Sequence, residues 1–153
     1  MEYPTTYDEL LEVGKVFNEN GIIPMAIGSN GGTPSEFFYS ELTISMEGGA
    51  DEIAALASGG NFNTDNAVKV ADTLLDMIDN KLFPEDTMAN GGWSASLQLY
   101  TDGKAAMTYT YPWMYESIPM IFRNAVTLFQ SRRCQVQQLI RQQLRQDLLY
   151  MDL

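Results

Sequence analysis

Hydrophobic positions recur at helical spacing through "PTTYDELLEVGKVFNENG", placing Leu10, Val13, Val16 and Phe17 on one face. Thr6 stands three residues before Glu9, the spacing of a capping box, and Gly21 marks the stop. An amphipathic helix is predicted. "IIPMAIG", residues 22–28, is a short apolar run closed by the flexible "SNGG", and it predicts a buried strand. Pro24 has no N–H to give a ladder, so it belongs at an edge or among the strand's first residues. A second helix is predicted from Thr33, with Pro34 in its first turn and Phe37, Phe38 and Leu42 along it, ending at Gly48 and Gly49.

"DEIAALASGG" suits a short helix. "NTDNAVKVADTLLDMIDNKLF" gives the clearest helical pattern, capped at Thr64, with Ala67, Val70, Ala71, Leu74, Met77 and Ile78 on one side. "WSASLQLYTDG" predicts a helix stopped at Gly103 that leads into the strand "AAMTYTY". Helix, strand, helices, strand is the order of an α/β layer domain. Two strands alone make too small a sheet for one. Either further strands come from outside the chain or the domain is incomplete.

A length of 153 residues is one domain's worth of chain, and 45% hydrophobic with 19% charged residues is a globular composition. No segment approaches the length of a membrane span. The N-terminus carries no charged-then-apolar leader, as would also hold for a mature or excised piece of an exported protein. One cysteine, Cys134, and no histidine exclude an internal disulfide framework, the usual transition-metal clusters and every His-dependent catalytic dyad. A net charge of -11 opposes binding to nucleic acid or anionic lipid. The acidic run 72–86 lacks the alternating spacing and central Gly of a calcium loop, and "SNGG" lacks the Lys-Ser/Thr that follows a phosphate cradle. No metal or cofactor is expected.

The composition changes near Phe122. Residues 1–121 carry 18 acids and 4 bases, all Lys, whereas 122–153 carry 2 acids and 5 bases, all Arg. All 12 glycines precede the boundary and seven of the eight glutamines follow it. We therefore read 1–121 and 122–153 as two units, the second an appended Arg/Gln-rich tail. Val136, Ile140, Leu144 and Leu148 recur at four-residue spacing in that tail, which predicts an amphipathic helix. Its apolar stripe needs cover, from the rest of the chain or from a second copy, so a homodimer through 122–153 is expected.

In open α/β sheets, ligands bind beyond the carboxyl ends of the strands. Trp113 and Tyr115 follow one predicted strand; Ser29, Asn30, Gly31 and Gly32 follow the other, with Glu36 and Phe38 one turn into the next helix. Aromatic faces beside polar acceptors suit a sugar ring, which has an apolar C–H face and hydroxyls that need partners.

From Pro4 to about Pro119 the chain resembles the second lobe of the extracellular sugar-binding proteins that serve ABC transporters, the family that includes maltose-binding protein. The resemblance rests on "PTTYDELLEVGKVFNENGIIPMAI", the aromatic helix running into "EGG", "NTDNAVKVADTLLDMIDNKLF" and "LYTDGKAAMTYTYPWMYESI", in that order and spacing. It implies an incomplete periplasmic-binding-protein-like lobe, a fragment lacking the partner lobe and the later elements of its own. It also implies a sugar or oligosaccharide ligand, an ABC transporter permease as partner of the parent protein, and an extracellular, membrane-anchored or periplasmic parent. By position, the resemblance assigns sugar stacking to Trp113 and a second cleft aromatic to Tyr115. Glu36, Phe38 and Trp93 are placed at the cleft, with Asn30 beside them. Many members have Gly or Asn-Gly where this chain has Thr110-Tyr111.

Each position also has a plainer reading. A Trp after a strand plugs a core, Phe38 falls at core spacing with Leu42, and Glu36 is an acid favoured by a helix N-terminus. A non-binding, self-assembling remnant held by its tail is thus the rival to a sugar binder. Catalysis has little support, since without His an acid pair such as Glu36 with Glu116 would have to serve, and nothing fixes their separation.

Overall fold

The computed structural model describes Pro4 and residues 6–118, in the order α1 (Tyr7–Glu19), β1 (Ile23–Ala26), α2 (Thr33–Ile44), α3 (Gly49–Leu56), α4 (Asp65–Asp79), α5 (Gly92–Thr101) and β2 (Ala105–Thr108), followed by a 3-10 helix, Pro112–Ser117. The side chains of Pro112 and Tyr115 lie outside the described residues. So do residues 119–153, on which the predicted tail helix and the expected homodimer contact fall.

Helix starts follow the sequence signals. Thr6 Oγ1 accepts the Glu9 N–H at 3.2 Å and the Glu9 carboxylate accepts the Thr6 N–H at 3.2 Å, both halves of a capping box. Thr64 Oγ1 accepts the Ala67 N–H at 3.1 Å, and Pro34 occupies the first turn of α2. Three helices then end alike. Ile22 N–H returns to the Phe17 carbonyl, Leu82 N–H to Met77 and Lys104 N–H to Leu99, each at 2.9 Å. These closures need a left-handed residue, supplied by Gly21, Lys81 and Gly103 at φ 70, 54 and 71. Each launches an apolar segment: β1 after α1, the fully buried Leu82 after α4, and β2 after α5.

The strands run parallel, with Ile23 opposite Ala105, Met25 opposite Met107 and Ala26 opposite Thr108. Pro24 is the second residue of β1, and the Met25 N–H goes to the Leu82 carbonyl at 2.9 Å, so a loop residue satisfies that donor. Among the described residues the sheet has these two strands, the helix-dominated α/β arrangement expected from the hydrophobic pattern. Tyr7 and Leu10, Met25 and Ile27, Phe38, Leu42 and Met46, Val70 and Met77, Leu82 and Tyr109 form its core. Each such large side chain contributes about 1.5 to 3 kcal/mol on burial. Tyr7 Oη donates to Asp76 at 2.7 Å, tying α1 to α4 across 69 positions.

Two faces turn differently from their sequence pattern. Val16 is exposed, because α1 buries the stripe Tyr7, Leu10 and Gly14. Leu82 presses into the space at Gly14, where a Cβ would stand 2.4 Å from Leu82 Cδ2. Ile78 faces solvent with Val68 and Leu75, because α4 inserts only a narrow strip, Val70, Leu74 and Met77, into the core. The second helix also stops at Ile44, earlier than predicted: Ser45 Oγ donates to the Leu42 carbonyl at 2.6 Å, and a turn intervenes before α3 starts at Gly49. No helix among the described residues is long and apolar enough to cross a membrane.

Candidate functional site

Because β1 and β2 are parallel and in register, the segments leaving their carboxyl ends emerge side by side. The loop after β1 is stitched to residues 87–90. Ser29 N–H donates to the Thr87 carbonyl at 2.8 Å, Asn30 N–H to Asn90 at 2.9 Å and Asn30 Nδ2 to Ala89 at 3.3 Å. Ser29 Oγ in this loop lies 2.6 Å from Ser35 Oγ in the first turn of α2, and Ser35 Oγ donates to the Gly32 carbonyl. This stitching brings the first turn of α5, with Trp93, beside the first turns of α2 and the exit of β2.

Five rings meet there: Phe37 from α2, Trp93 from α5, Tyr109 and Tyr111 after β2, and Trp113 in the 3-10 helix. Tyr111 and Trp113 stack face to face, with centroids 4.5 Å apart and planes 3° from parallel. Phe37 meets Tyr111 edge-on at 5.4 Å, and Trp93 meets Tyr111 at 5.5 Å and Trp113 at 5.9 Å, both near perpendicular. Tyr109 is buried beneath, Trp93 and Tyr111 are half-buried, and Phe37 and Trp113 are 41% and 59% exposed. The result is an aromatic platform with a buried base and an open rim. Offset and edge-on pairs of this kind add about 0.5 to 1.5 kcal/mol each beyond their burial.

Polar groups run along its inner side. Tyr109 Oη donates to Tyr111 Oη at 3.1 Å, and Tyr111 Oη donates to the Glu41 carboxylate. Burial, and then the bond to Tyr111 and the charge of Glu41, hold the Tyr109 hydroxyl protonated far above the ordinary tyrosine range. Burial and the Asp76 carboxylate push Tyr7 up likewise. Unfolded tyrosines ionise near pH 10, whereas these two stay neutral in the fold, so the stability they contribute is complete below about pH 10 and is lost as the pH rises beyond it. Thermal unfolding followed between pH 9 and 12 should show a falling midpoint, and Tyr109→Phe should flatten that fall.

The predicted site residues separate. Trp113 and Trp93 both belong to the platform. The side chain of Tyr115 lies outside the described residues. Asn30 is exposed at the same end of the sheet, and its amide is used on the Ala89 carbonyl. Glu36 is exposed in the first turn of α2 with its carboxylate folded over Gly32, where a Cβ would stand 2.6 Å from Oε1. That is the placement of an acid answering a helix N-terminus. Phe38 is corrected: it is 2% exposed, edge-on to Tyr109 at 5.0 Å and to Phe83 at 6.0 Å, and belongs to the core rather than the cleft. The neighbouring Phe37 holds the open position. Pro34, Phe38, Leu42 and Met46 are spaced by four and all buried, a signal that turns Phe37 about 100° away from the core. Tyr109, Tyr111 and Glu41 were not singled out by sequence, since nothing local joins residues 70 positions apart. Among the described residues no group of three or more His, Cys, Asp or Glu side chains could hold a metal.

Residues 1–126 match the profile of the bacterial extracellular solute-binding proteins. The chain belongs to this family. A solved structure from work on xylan utilization by the thermophilic bacterium Caldanaerobius polysaccharolyticus is similar to this solute-binding chain, with a TM-score of 0.61 and 26% identity. The similarity covers 71% of the present chain and 28% of that one. No curated protein matches. The solute-binding family and the partial lobe that the sequence resemblance implied are therefore borne out, and the aromatic platform lies at the strand ends of that lobe.

Proposed function

We propose that the platform binds a carbohydrate, as one face of the cleft of an extracellular solute-binding protein. The observation that carries this reading is the flat, partly exposed Trp113 ring stacked on Tyr111, with Phe37 and Trp93 at its edges and the carboxylates of Glu36 and Glu41 on α2, the helix that carries Phe37. A sugar's C–H face covers an aromatic plane, and its hydroxyls seek hydrogen-bond partners such as the Glu36 carboxylate, exposed in the first turn of α2. The xylan context of the similar structure makes xylo-oligosaccharides the first ligands to try. In the longer parent the site would close against a second lobe and deliver its solute to an ABC transporter permease. As part of the same proposal, residues 1–121 act as the partial lobe and 122–153 as a helical tail that pairs two copies.

Both tryptophans of the chain, Trp93 and Trp113, stand in the platform, so their fluorescence reports on it directly. Titration with xylo- and malto-oligosaccharides at millimolar concentration should give a saturable shift. Trp113→Ala should weaken that binding about tenfold or more, because truncating an anchoring Trp costs about 2 kcal/mol. A wild-type chain that answers no sugar would leave the self-assembling remnant as the reading.

A further inference from the structure

Trp113 is the most exposed ring of the platform, and Phe37 and Trp93 meet it only at an angle, 64° and 80° from parallel at 6.5 and 5.9 Å. Its parallel contact is with Tyr111. Tyr111, in turn, touches all four other rings, Phe37, Trp93, Tyr109 and Trp113. Tyr111 is therefore the ring that Trp113 lies parallel to and the one through which the rest of the platform reaches it face-on.

Edge-on rings and the hydroxyl hydrogen bonds act on different degrees of freedom of Tyr111. The edge-on rings of Phe37 and Trp93, at 64° and 81° to it, resist rotation of the phenol about its own long axis. They do not fix where that axis points. The direction of the axis is set at the hydroxyl, which donates to the Glu41 carboxylate and accepts from Tyr109 Oη at 3.1 Å. Tyr109 is itself packed into the core, 6% exposed and edge-on to Phe38 at 5.0 Å. Glu41 rides on α2, whose buried stripe anchors it to the core. The chain of contacts thus runs from the core through Glu41 and Tyr109 to Tyr111, and from Tyr111 to Trp113.

We propose that Glu41 is the positioning residue of the binding platform: by holding the Tyr111 hydroxyl it sets the plane of Trp113 before any ligand arrives. The inference rests on the reading of the platform as a binding face, but its first test needs no ligand. A charged acceptor makes a shorter and stronger bond than a neutral one, so a carboxylate suits this task better than an amide or a water. Preorganisation of this kind removes an ordering cost from binding rather than adding a contact.

The test uses near-ultraviolet circular dichroism, because two indoles 5.9 Å apart and 80° from parallel couple to give a signal that depends on their mutual orientation. Glu41→Ala and Tyr111→Phe should each lose most of that signal at a temperature where far-ultraviolet spectra show the protein folded. Glu41→Gln, which can still accept from the hydroxyl, should retain the larger part of it. Trp93→Phe serves as the control that the signal belongs to the pair. Sugar affinity should fall about tenfold in Glu41→Ala and less in Glu41→Gln, about what one well-placed aromatic contact is worth. If folded Glu41→Ala and Tyr111→Phe keep the wild-type signal, Glu41 does not position Trp113 and the inference is overturned. If the signal changes as expected while the wild type binds no sugar, the positioning stands and only the carbohydrate reading fails.

Discussion

Gly49→Ala is expected to remove about 3 kcal/mol or more of this chain's stability. A Cβ at Gly49 would stand 1.8 Å from the Thr43 carbonyl oxygen and 2.7 Å from the Thr43 carbonyl carbon. Both are backbone atoms in the last turn of α2, so no side chain can rotate away. Relief requires α3 to move bodily off α2, whose Phe38 and Leu42 are core residues. Overpacking usually costs about 1 to 3 kcal/mol, and a clash against fixed backbone belongs at or above the top of that range. Small domains have about 5 to 15 kcal/mol in total, and a lobe with a two-strand sheet belongs at the low end. Denaturant unfolding followed by far-ultraviolet circular dichroism measures the loss. The control is Gly48→Asn, one position earlier, where nothing lies within 4 Å of the added Cβ and φ is 69, a value Asn adopts more readily than most residues. It should cost about 1 kcal/mol or less. Equal losses in the two variants would mean that the contact between α2 and α3 is not the source.

Gly28→Ala should be nearly as damaging, and should reach the platform. Gly28 lies buried just past β1, and its missing side chain lets α5 approach: a Cβ would stand 2.7 Å from the Gly92 carbonyl oxygen and 2.9 Å from the Gly92 nitrogen. The substitution pushes the first turn of α5 away from the sheet. Trp93 is the next residue after Gly92, so the displacement moves one wall of the platform relative to Trp113. We expect a loss of about 2 to 3 kcal/mol. Tryptophan emission at low denaturant should also differ from wild type, since Trp93 is packed on Tyr109 and Tyr111. Ser96→Ala provides a comparison. Ser96 Oγ donates to the Gly92 carbonyl at 2.8 Å and lies 3.0 Å from the position of a Cβ at Gly28. Combining Ser96→Ala with Gly28→Ala removes only that lesser contact, so it should recover little of the loss. Full recovery would place the clash on the hydroxyl rather than on the helix backbone.

What the sequence determined was local. Thr6 with Glu9, Thr64 and Pro34 mark helix starts because a cap acts within three or four residues, and the chain folds as those signals direct. The apolar runs around Met25 and Met107 became strands, each launched from a helix end closed by a glycine, and aromatic residues after the second strand marked the end of the sheet where the platform stands. The family was legible for the same reason, since its signature is carried by the order and spacing of such segments.

What only the tertiary structure decided was which side of each element meets which partner. Adjacent residues such as Phe37 and Phe38 have the same hydrophobicity, and the choice between core and rim fell to the stripe that α2 turns toward the sheet. Val16 and Ile78 lost core places because Leu82 fills the space at Gly14 and α4 inserts only a narrow strip. The platform itself is a long-range object. Glu41 with Tyr111, and Tyr7 with Asp76, are partners about 70 positions apart, joined only when the elements that carry them pack together. Spacing along a chain encodes periodicity, whereas a contact across that distance is set by packing, which no local pattern contains.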